Sequence, residues 1–168
     1  MPHSALSRRT IHHLVQGAPT ELILDFDATD DIVHGNQDAR HFSDYYDNYC
    51  FLPLYVFCGE QLLTAYLRPA KKIAALHAAG RLKLLVDRLR ETWPGVRILF
   101  RGDSGFCRPL LMGWCERNSV DYIIGLAKNS RLRTLSESWC NAAATAFDET
   151  RLPQHHTARV TPADKAGE

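Results

Sequence analysis

The hydrophobic pattern of the chain opens with a short apolar run that ends abruptly in carboxylates. Residues 22–24 are apolar and begin a predicted buried strand, and the stretch Asp25–Asp31 then carries four aspartates. Side chains alternate along a strand, so Asp25 and Asp27 are expected on one face and Phe26 on the other. Crowded carboxylates at the end of a core strand cost free energy through desolvation and repulsion. This cost is avoided if a bound cation neutralises them or if they lie in a solvated turn.

A second stretch has the same form. Residues 96–101 make another short apolar-rich strand, which ends in Gly102-Asp103-Ser104-Gly105. The glycines permit a tight turn, and a helix pattern starts directly afterwards. Asp103 is therefore expected at the carboxyl end of a strand and beside a helix N-terminus, as an ionised carboxylate or as a simple N-cap.

Between these two stretches the pattern changes from strands to a helix. Residues 49–58 are strongly β-prone, with Pro53 at an edge or a bulge, and residues 61–67 return as the second strand of a hairpin. From about Lys71 the spacing becomes helical, and Pro94-Gly95 ends this helix. Its apolar positions recur at i, i+3, i+4, i+7 and i+11: Leu82, Leu85, Val86, Leu89 and Trp93.

A second helix is predicted at roughly 106–118 and a fifth strand at 121–126. The resulting α/β order predicts a mixed sheet of about five strands, three in an antiparallel meander and the later ones alternating with helices. This is the order of a ribonuclease-H-like core, in which the first and fourth strands lie side by side. That adjacency would bring Asp27 and Asp103 together, and two carboxylates supply the hard oxygen ligands that suit Mg²⁺ or Mn²⁺.

The composition changes this picture little. The 168 residues, 45% hydrophobic and 23% charged, are typical of one ordinary globular domain. No apolar run is long enough to span a bilayer, and the first residues lack the apolar core of a secretory signal. The five cysteines form no CxxC pair, which favours a reduced, cytoplasmic setting.

The net charge of +1 conceals an asymmetry along the chain. Residues 1–67 hold three basic and nine acidic residues, residues 68–133 hold fourteen and five, and residues 134–168 hold three and five. An acidic segment with the candidate site thus precedes a strongly basic one. A polyanion held against the basic segment, with a phosphate at the acidic cluster, would use both. The alternative is that the basic residues only solubilise helix faces.

A larger set of residues, spread over 22–132, carries a family resemblance by its number and its order. These residues are Asp25, Asp27, Thr29, Asp30, Asp31, His34, Gly35, Gln37, Tyr45, Tyr46, Asp47, Leu52, Pro53, Leu54, Arg101, Asp103, Ser104, Gly105, Phe106, Asp121 and Tyr122. In these motifs the chain resembles the catalytic core of DDE transposases from bacterial insertion sequences, in particular the DDE transposase domain, group 1. By this resemblance Asp27 is the first catalytic aspartate and Asp103 the second. Asp25 and Asp30 are secondary candidates.

The resemblance implies cleavage at transposon ends and joining to target DNA by two-metal phosphoryl transfer with Mg²⁺ or Mn²⁺. The implied partners are terminal inverted repeats, target DNA, and a second copy or a full-length transposase as a dimer partner. A nucleoid-associated cytoplasmic location follows from that function. The candidate DNA-binding residues are Arg101, Lys128, Arg131 and Arg133.

One departure from the family pattern concerns its third acidic residue, a glutamate on a helix after the fifth strand. Glu137 and Glu149 are the nearby glutamates, and neither lies in the family's motif. We therefore expect a truncated transposase with an N-terminal arm (1–20), an incomplete catalytic core (21–133) that stops before the last catalytic helix, and an irregular tail (134–168). Such a chain should have little or no strand-transfer activity alone.

Two other functions fit parts of the pattern. Asp25-Phe26-Asp27-Ala28-Thr29 also matches the DxDxT signature of haloacid-dehalogenase-like phosphatases, with Asp25 as nucleophile, Asp27 as acid/base and Asp103 as a later magnesium ligand. That fold needs a helix after the first strand, whereas residues 32–67 have a strand pattern. The other alternative is a non-catalytic remnant that binds DNA or a full-length transposase.

Overall fold

The computed structural model describes residues 17–70 and 73–155. They belong to two compact units with a boundary after Ala127. The strands of the first unit are β1 (Glu21–Ala28), β2 (Asp31–Ile32), β3 (His41–Ser43), β4 (Asn48–Phe51), β5 (Leu54–Cys58), β6 (Gln61–Tyr66), β7 (Arg97–Gly102) and β8 (Asp121–Ile124). The helices are α1 (Ala78–Thr92) and α2 (Pro109–Arg117) in the first unit and α3 (Ser130–Thr150) in the second.

The main sheet has five strands in the order β6-β5-β1-β7-β8. β1 is antiparallel to β5, which is antiparallel to β6, whereas β7 is parallel to β1 and β8 is parallel to β7. An antiparallel meander joined to strands that alternate with helices is the ribonuclease-H-like topology. The predicted fold class is confirmed, and so is the central position of β1 beside β7.

Burial follows the alternation of the sequence. On β1 the residues Leu22, Leu24, Phe26 and Ala28 are buried, while the intervening positions are half-buried or exposed. Helix α1 covers this face with Leu82, Leu85, Val86 and Leu89, as the apolar spacing predicted. Each fully buried aliphatic side chain of this kind contributes about 1.5–3 kcal/mol to stability. The core therefore holds β1 and β7 in place next to the polar residues at their carboxyl ends.

Several predicted boundaries were wrong. The β-prone run at 49–58 is divided at Leu52-Pro53, so that β4 joins a second sheet, of order β2-β4-β3, and β5 joins the main one. Proline lacks the N–H that would continue a ladder. This small sheet occupies part of the region where an irregular loop or hairpin approach was expected.

The helices also begin later than predicted. Helix α1 starts at Ala78 rather than near Lys71, because the residues just before it form a turn that ends at His77 in a left-handed conformation. Helix α2 starts at Pro109 instead of about 106, after a 3-10 turn at Ser104–Phe106. Arg108 is extended, as the residue before a proline usually is.

The prediction of an irregular tail from 134 onward was wrong as far as residue 150, since α3 covers that stretch. The helix starts with a cap in which the side chain of Asn129 accepts a hydrogen bond of 2.9 Å from the Leu132 N–H. None of its residues is buried, although Leu132, Leu135 and Trp139 recur at helical spacing. Residues 1–16 of the predicted arm and 156–168 of the predicted tail lie outside the described residues.

No helix among the described residues is long and apolar enough to cross a membrane. The five cysteines are free thiols, of which Cys50 and Cys115 are buried.

Candidate metal centre

Asp27 and Asp103 follow the last paired residues of two neighbouring parallel strands. The β1–β7 ladder runs as far as Phe26 opposite Gly102, so the next residue on each strand is one of these aspartates. Both are exposed, whereas Phe26 is buried. Because side chains two residues apart share a face of a sheet, Asp27 continues the face of Asp25, and Asp103 continues that of Arg101.

Asp25 and Arg101 show that these two faces are the same. They are register partners in the β1–β7 ladder, and the guanidinium binds the carboxylate through two hydrogen bonds. Nη2 donates to Oδ2 over 2.7 Å, and Nε donates to Oδ1. One step farther along both strands, Asp27 and Asp103 therefore end on the same side of the sheet at the same edge.

The backbone around Asp103 is a tight turn that fixes its carboxylate. Asp103 is extended, with φ −77° and ψ −173°, and caps the 3-10 turn that follows β7. Its Oδ1 accepts a hydrogen bond of 2.8 Å from the Gly105 N–H. The N-cap expected from the sequence is therefore present, and it leaves the second carboxylate oxygen available to a ligand.

The ion pair limits what Asp25 can do. Both of its oxygens accept from Arg101, and this hydrogen bond, together with the attraction between the charges, raises the pKa of Arg101. This pairing occupies one lone pair on each oxygen and compensates the charge of Asp25, so it weakens Asp25 as a metal ligand. Arg101, a predicted DNA contact, has its charge compensated in the same way.

The phosphatase alternative disagrees with these observations. Residues 29–66 contain β2–β6 and no helix, whereas that fold needs a helix directly after its first strand. The residue proposed as its nucleophile, Asp25, is held by Arg101. This alternative is contradicted by the order of the elements and by the state of its key side chain.

Tyr46 lies beside the candidate site, and the sequence analysis did not single it out. Its hydroxyl donates a long hydrogen bond of 3.5 Å to the carbonyl oxygen of Ala28 at the end of β1. Burial is the first cause of its raised pKa, and electrostatic interactions with Asp30, Tyr45, Asp103 and Asp27 add to the effect in that order. The aspartates at the ends of β1 and β7 thus act on one phenol.

The only sequence signal for this residue was the Tyr45-Tyr46 pair among the family motifs. That pair does not reveal which ring faces the site. In the structure Tyr45 is 88% exposed, while Tyr46 packs against the hydrophobic core. The difference arises from the turn between β3 and β4, which tertiary packing sets.

The donors present fit a hard divalent cation. Magnesium is usually held by one or two carboxylates, with water and substrate phosphates completing its coordination, and Asp27 and Asp103 offer that number. In the part of the chain that the structure describes, no group of three or more His, Cys, Asp or Glu side chains converges on a metal position.

The remaining predicted residues lie elsewhere. Lys128, Arg131 and Arg133 belong to the second unit, the last two in the first turn of α3. Glu137 and Glu149 are also on α3. The three basic residues stay predictions as DNA contacts.

Comparison with known proteins gives one family and several distant structures. The family model for the transposase DDE domain group 1 matches residues 3–163. No curated protein matches the chain. The catalytic domain of Mos1 mariner transposase is similar with a TM-score of 0.46 and 13% identity, over 79% of this chain and 63% of that one.

Two further solved structures are similar. The piggyBac transposase in a synaptic complex with hairpin DNA has a TM-score of 0.43 and 15% identity, over 72% of this chain and 26% of that one. The HTLV-2 integrase catalytic core domain in complex with magnesium has a TM-score of 0.35 and 11% identity, over 81% and 78%. The chain spans less than two thirds of each of the two transposase structures.

Proposed function

Because the chain belongs to the transposase DDE domain group 1 family, we propose that it carries the phosphoryl-transfer site of an insertion-sequence transposase. This site would cut DNA at the ends of the element and join those ends to target DNA. The observation that carries the proposal is the parallel β1–β7 pair, whose ladder ends at Phe26 and Gly102. Asp27 and Asp103 follow on one face of the sheet.

Asp27 and Asp103 would hold Mg²⁺ or Mn²⁺. A bound ion would supply Lewis-acid chemistry, which makes a hydroxyl a better nucleophile and stabilises charge on a leaving oxygen. The chain's own part is to keep two carboxylates fixed at one edge of a rigid sheet. Positions held in advance reduce the entropy cost of bringing the reacting groups into line.

Neighbouring residues affect the geometry and the charge of this edge of the sheet. The Asp25–Arg101 pair ties β1 to β7 two residues before the aspartates, and so holds the strand ends in register. Arg101 also neutralises the charge of Asp25, so this edge would repel a DNA phosphate less strongly. The basic segment 68–133 would attract the DNA backbone, and binding through it should weaken steeply with salt.

We also propose that the 168-residue chain alone transfers DNA strands poorly. The described residues provide two carboxylates on this edge but no third metal-ligating side chain with them. Two ligands can hold an ion loosely, whereas in-line transfer needs both ions and the scissile phosphate fixed together. Magnesium-dependent cleavage of terminal-repeat DNA by this chain would contradict this part of the proposal.

Manganese binding tests the site directly. Free Mn²⁺ is measured by electron paramagnetic resonance during titration of the wild-type chain and of Asp27→Asn and Asp103→Asn. We expect binding by the wild type and its loss in both variants. Asp121→Asn is the matched control, because Asp121 lies at the opposite end of the sheet, where it pairs with Arg97.

The result separates the proposed function from its alternatives. Wild-type Mn²⁺ affinity in both Asp27→Asn and Asp103→Asn would overturn the metal site. If the same protein nevertheless shifted DNA in a salt-dependent manner, the non-catalytic DNA-binding alternative would replace the proposal.

A further inference from the structure

Arg68 is a buried cation that the proposed chemistry does not use. Only 1% of its surface is exposed, although it lies just two residues after the end of β6. No acidic side chain pairs with it among the described residues, and its Nη2 atom is buried without a hydrogen-bond partner there. Such a group is expensive to bury, and burial lowers its pKa.

The hydrogen bonds that the Arg68 side chain donates all go to backbone carbonyls. Nε donates to the Leu52 oxygen over 2.8 Å, and Nη1 donates to the oxygens of Ala74 and Leu76 over 2.7 Å each. In return the Leu52 N–H donates to the Arg68 carbonyl over 2.8 Å. One side chain thus fastens the turn before α1 to the junction between β4 and β5.

That turn touches the loop that carries Asp103. A Cβ added to Gly105 would lie 2.8 Å from the methyl carbon of Ala74 and 3.0 Å from Oδ1 of Asp103. The backbone of Gly105 therefore lies between Ala74, in the turn that Arg68 fixes, and the Asp103 carboxylate. The Gly105 N–H donates to this carboxylate over 2.8 Å. A shift of Ala74 would be transmitted through Gly105 to the carboxylate.

Gly125 also packs closely against the backbone of this loop. A Cβ there would lie 2.9 Å from the Ser104 nitrogen and 3.1 Å from the Asp103 carbonyl carbon, both of them backbone atoms that cannot rotate away. The Gly125 N–H also donates to the Gly102 oxygen over 2.9 Å. Two glycines thus permit backbone approaches that leave Asp103 little room to move.

We propose that Arg68 is a positioning residue for Asp103, acting through Ala74 and Gly105 while Gly125 packs against the backbone of the same loop. The inference rests on the proposed function, since it assigns these residues to the metal-binding carboxylate. Outer residues that orient metal ligands typically change metal affinity about 10–100-fold when they are lost.

The test measures Mn²⁺ affinity of the full chain by electron paramagnetic resonance, with circular dichroism to confirm folding. Gly105→Ala, Gly125→Ala and Arg68→Met should each weaken binding by about tenfold or more. Adding Ala74→Gly to Gly105→Ala removes one of the two collisions and should restore part of the affinity. Arg68→Lys keeps the charge but not all three hydrogen bonds, so its affinity should lie between those of Arg68→Met and the wild type.

Two matched controls isolate the effect. Gly80→Ala adds a methyl group in α1 where no atom lies within 4 Å, and Arg88→Met removes an exposed guanidinium from the same helix. Both should bind Mn²⁺ like the wild type. If Arg68→Met does not fold, Arg68→Lys decides the role of Arg68.

The outcomes distinguish the positioning role of Arg68 from the proposed metal-binding function on which it rests. Wild-type affinity in folded Gly105→Ala and Arg68→Lys, with binding lost in Asp103→Asn, would overturn the positioning role and leave the metal site standing. Equal loss in Gly105→Ala and in its double variant with Ala74→Gly would also overturn the route through Ala74. Unchanged binding in Asp103→Asn would instead overturn the proposed function.

Discussion

Asp25 and Arg101 face each other across the parallel strands β1 and β7 and form a two-bonded ion pair one step before the edge of the sheet. Their register, Asp25 opposite Arg101 and then Phe26 opposite Gly102, leads directly to Asp27 and Asp103. The ion pair thus distinguishes Asp25 from Asp27, although the two aspartates look equivalent in the sequence. Asp25 is bound by an arginine, and Asp27 is exposed at the edge.

This relationship predicts different effects of two similar substitutions. Asp25→Asn should leave Mn²⁺ affinity close to that of the wild type, because the Asp25 oxygens already accept from Arg101, whereas Asp27→Asn should abolish binding. Titration of Mn²⁺ followed by electron paramagnetic resonance compares the two variants. Equal loss of binding in both would mean that Asp25 exchanges its arginine for the metal.

Thermal unfolding gives an independent measure of the same site. An ion that binds only the folded chain should stabilise it by about 2.7 kcal/mol at a concentration 100 times its dissociation constant. We expect Mn²⁺ to raise the unfolding temperature of the wild type and not that of Asp103→Asn. Without metal, Asp103→Asn should unfold at or above the wild-type temperature, because the substitution removes repulsion among neighbouring carboxylates.

Phe106 should be the most costly ring to remove near the site. It is fully buried, and its ring centroid lies 6.1 Å from that of Phe26 and 6.3 Å from that of Phe100, edge to face in both cases. Phe106→Ala should lower the free energy of unfolding by about 3–5 kcal/mol in urea titrations. Phe106→Leu, which keeps most of the volume, should cost clearly less, and equal costs would argue against a packing role.

Cys115 predicts a loss of stability at high pH. Burial raises the pKa of its thiol to about 11, above the ordinary value of about 8.5 for the unfolded chain. The folded state thus holds the proton more tightly than the unfolded state. The resulting contribution to the free energy of unfolding is complete below about pH 8.5 and is lost as the pH rises toward 11. Between pH 8 and pH 10.5, the free energy of unfolding measured in urea should fall less for Cys115→Ala than for the wild type.

The control for this prediction is Cys140, whose side chain is exposed. Cys140→Ala should have the same pH dependence as the wild type. A thiol reagent at pH 8 should modify Cys140 quickly and Cys115 only after unfolding. Rapid reaction at Cys115 in the folded chain would contradict its burial and its raised pKa.

Local patterns in the sequence determined most of the fold. The alternation at 22–28 and the spacing of Leu82, Leu85, Val86 and Leu89 predicted which faces are buried, because burial of apolar area dominates both elements. The order of strands and helices then predicted the mixed sheet and the adjacency of β1 and β7. From that adjacency followed the pairing of Asp27 with Asp103 as the candidate site.

Only the tertiary structure decided how the neighbouring polar groups are used. The separate states of Asp25 and Asp27, the approach of Tyr46 to the aspartates, and the anchoring of the turn before α1 by Arg68 join residues far apart in the chain. Hydrogen bonds and close packing of this kind depend on distances between elements, which no local periodicity encodes. Hydrophobic burial, by contrast, repeats with the period of each strand and helix, and so it can be detected in the amino-acid order alone.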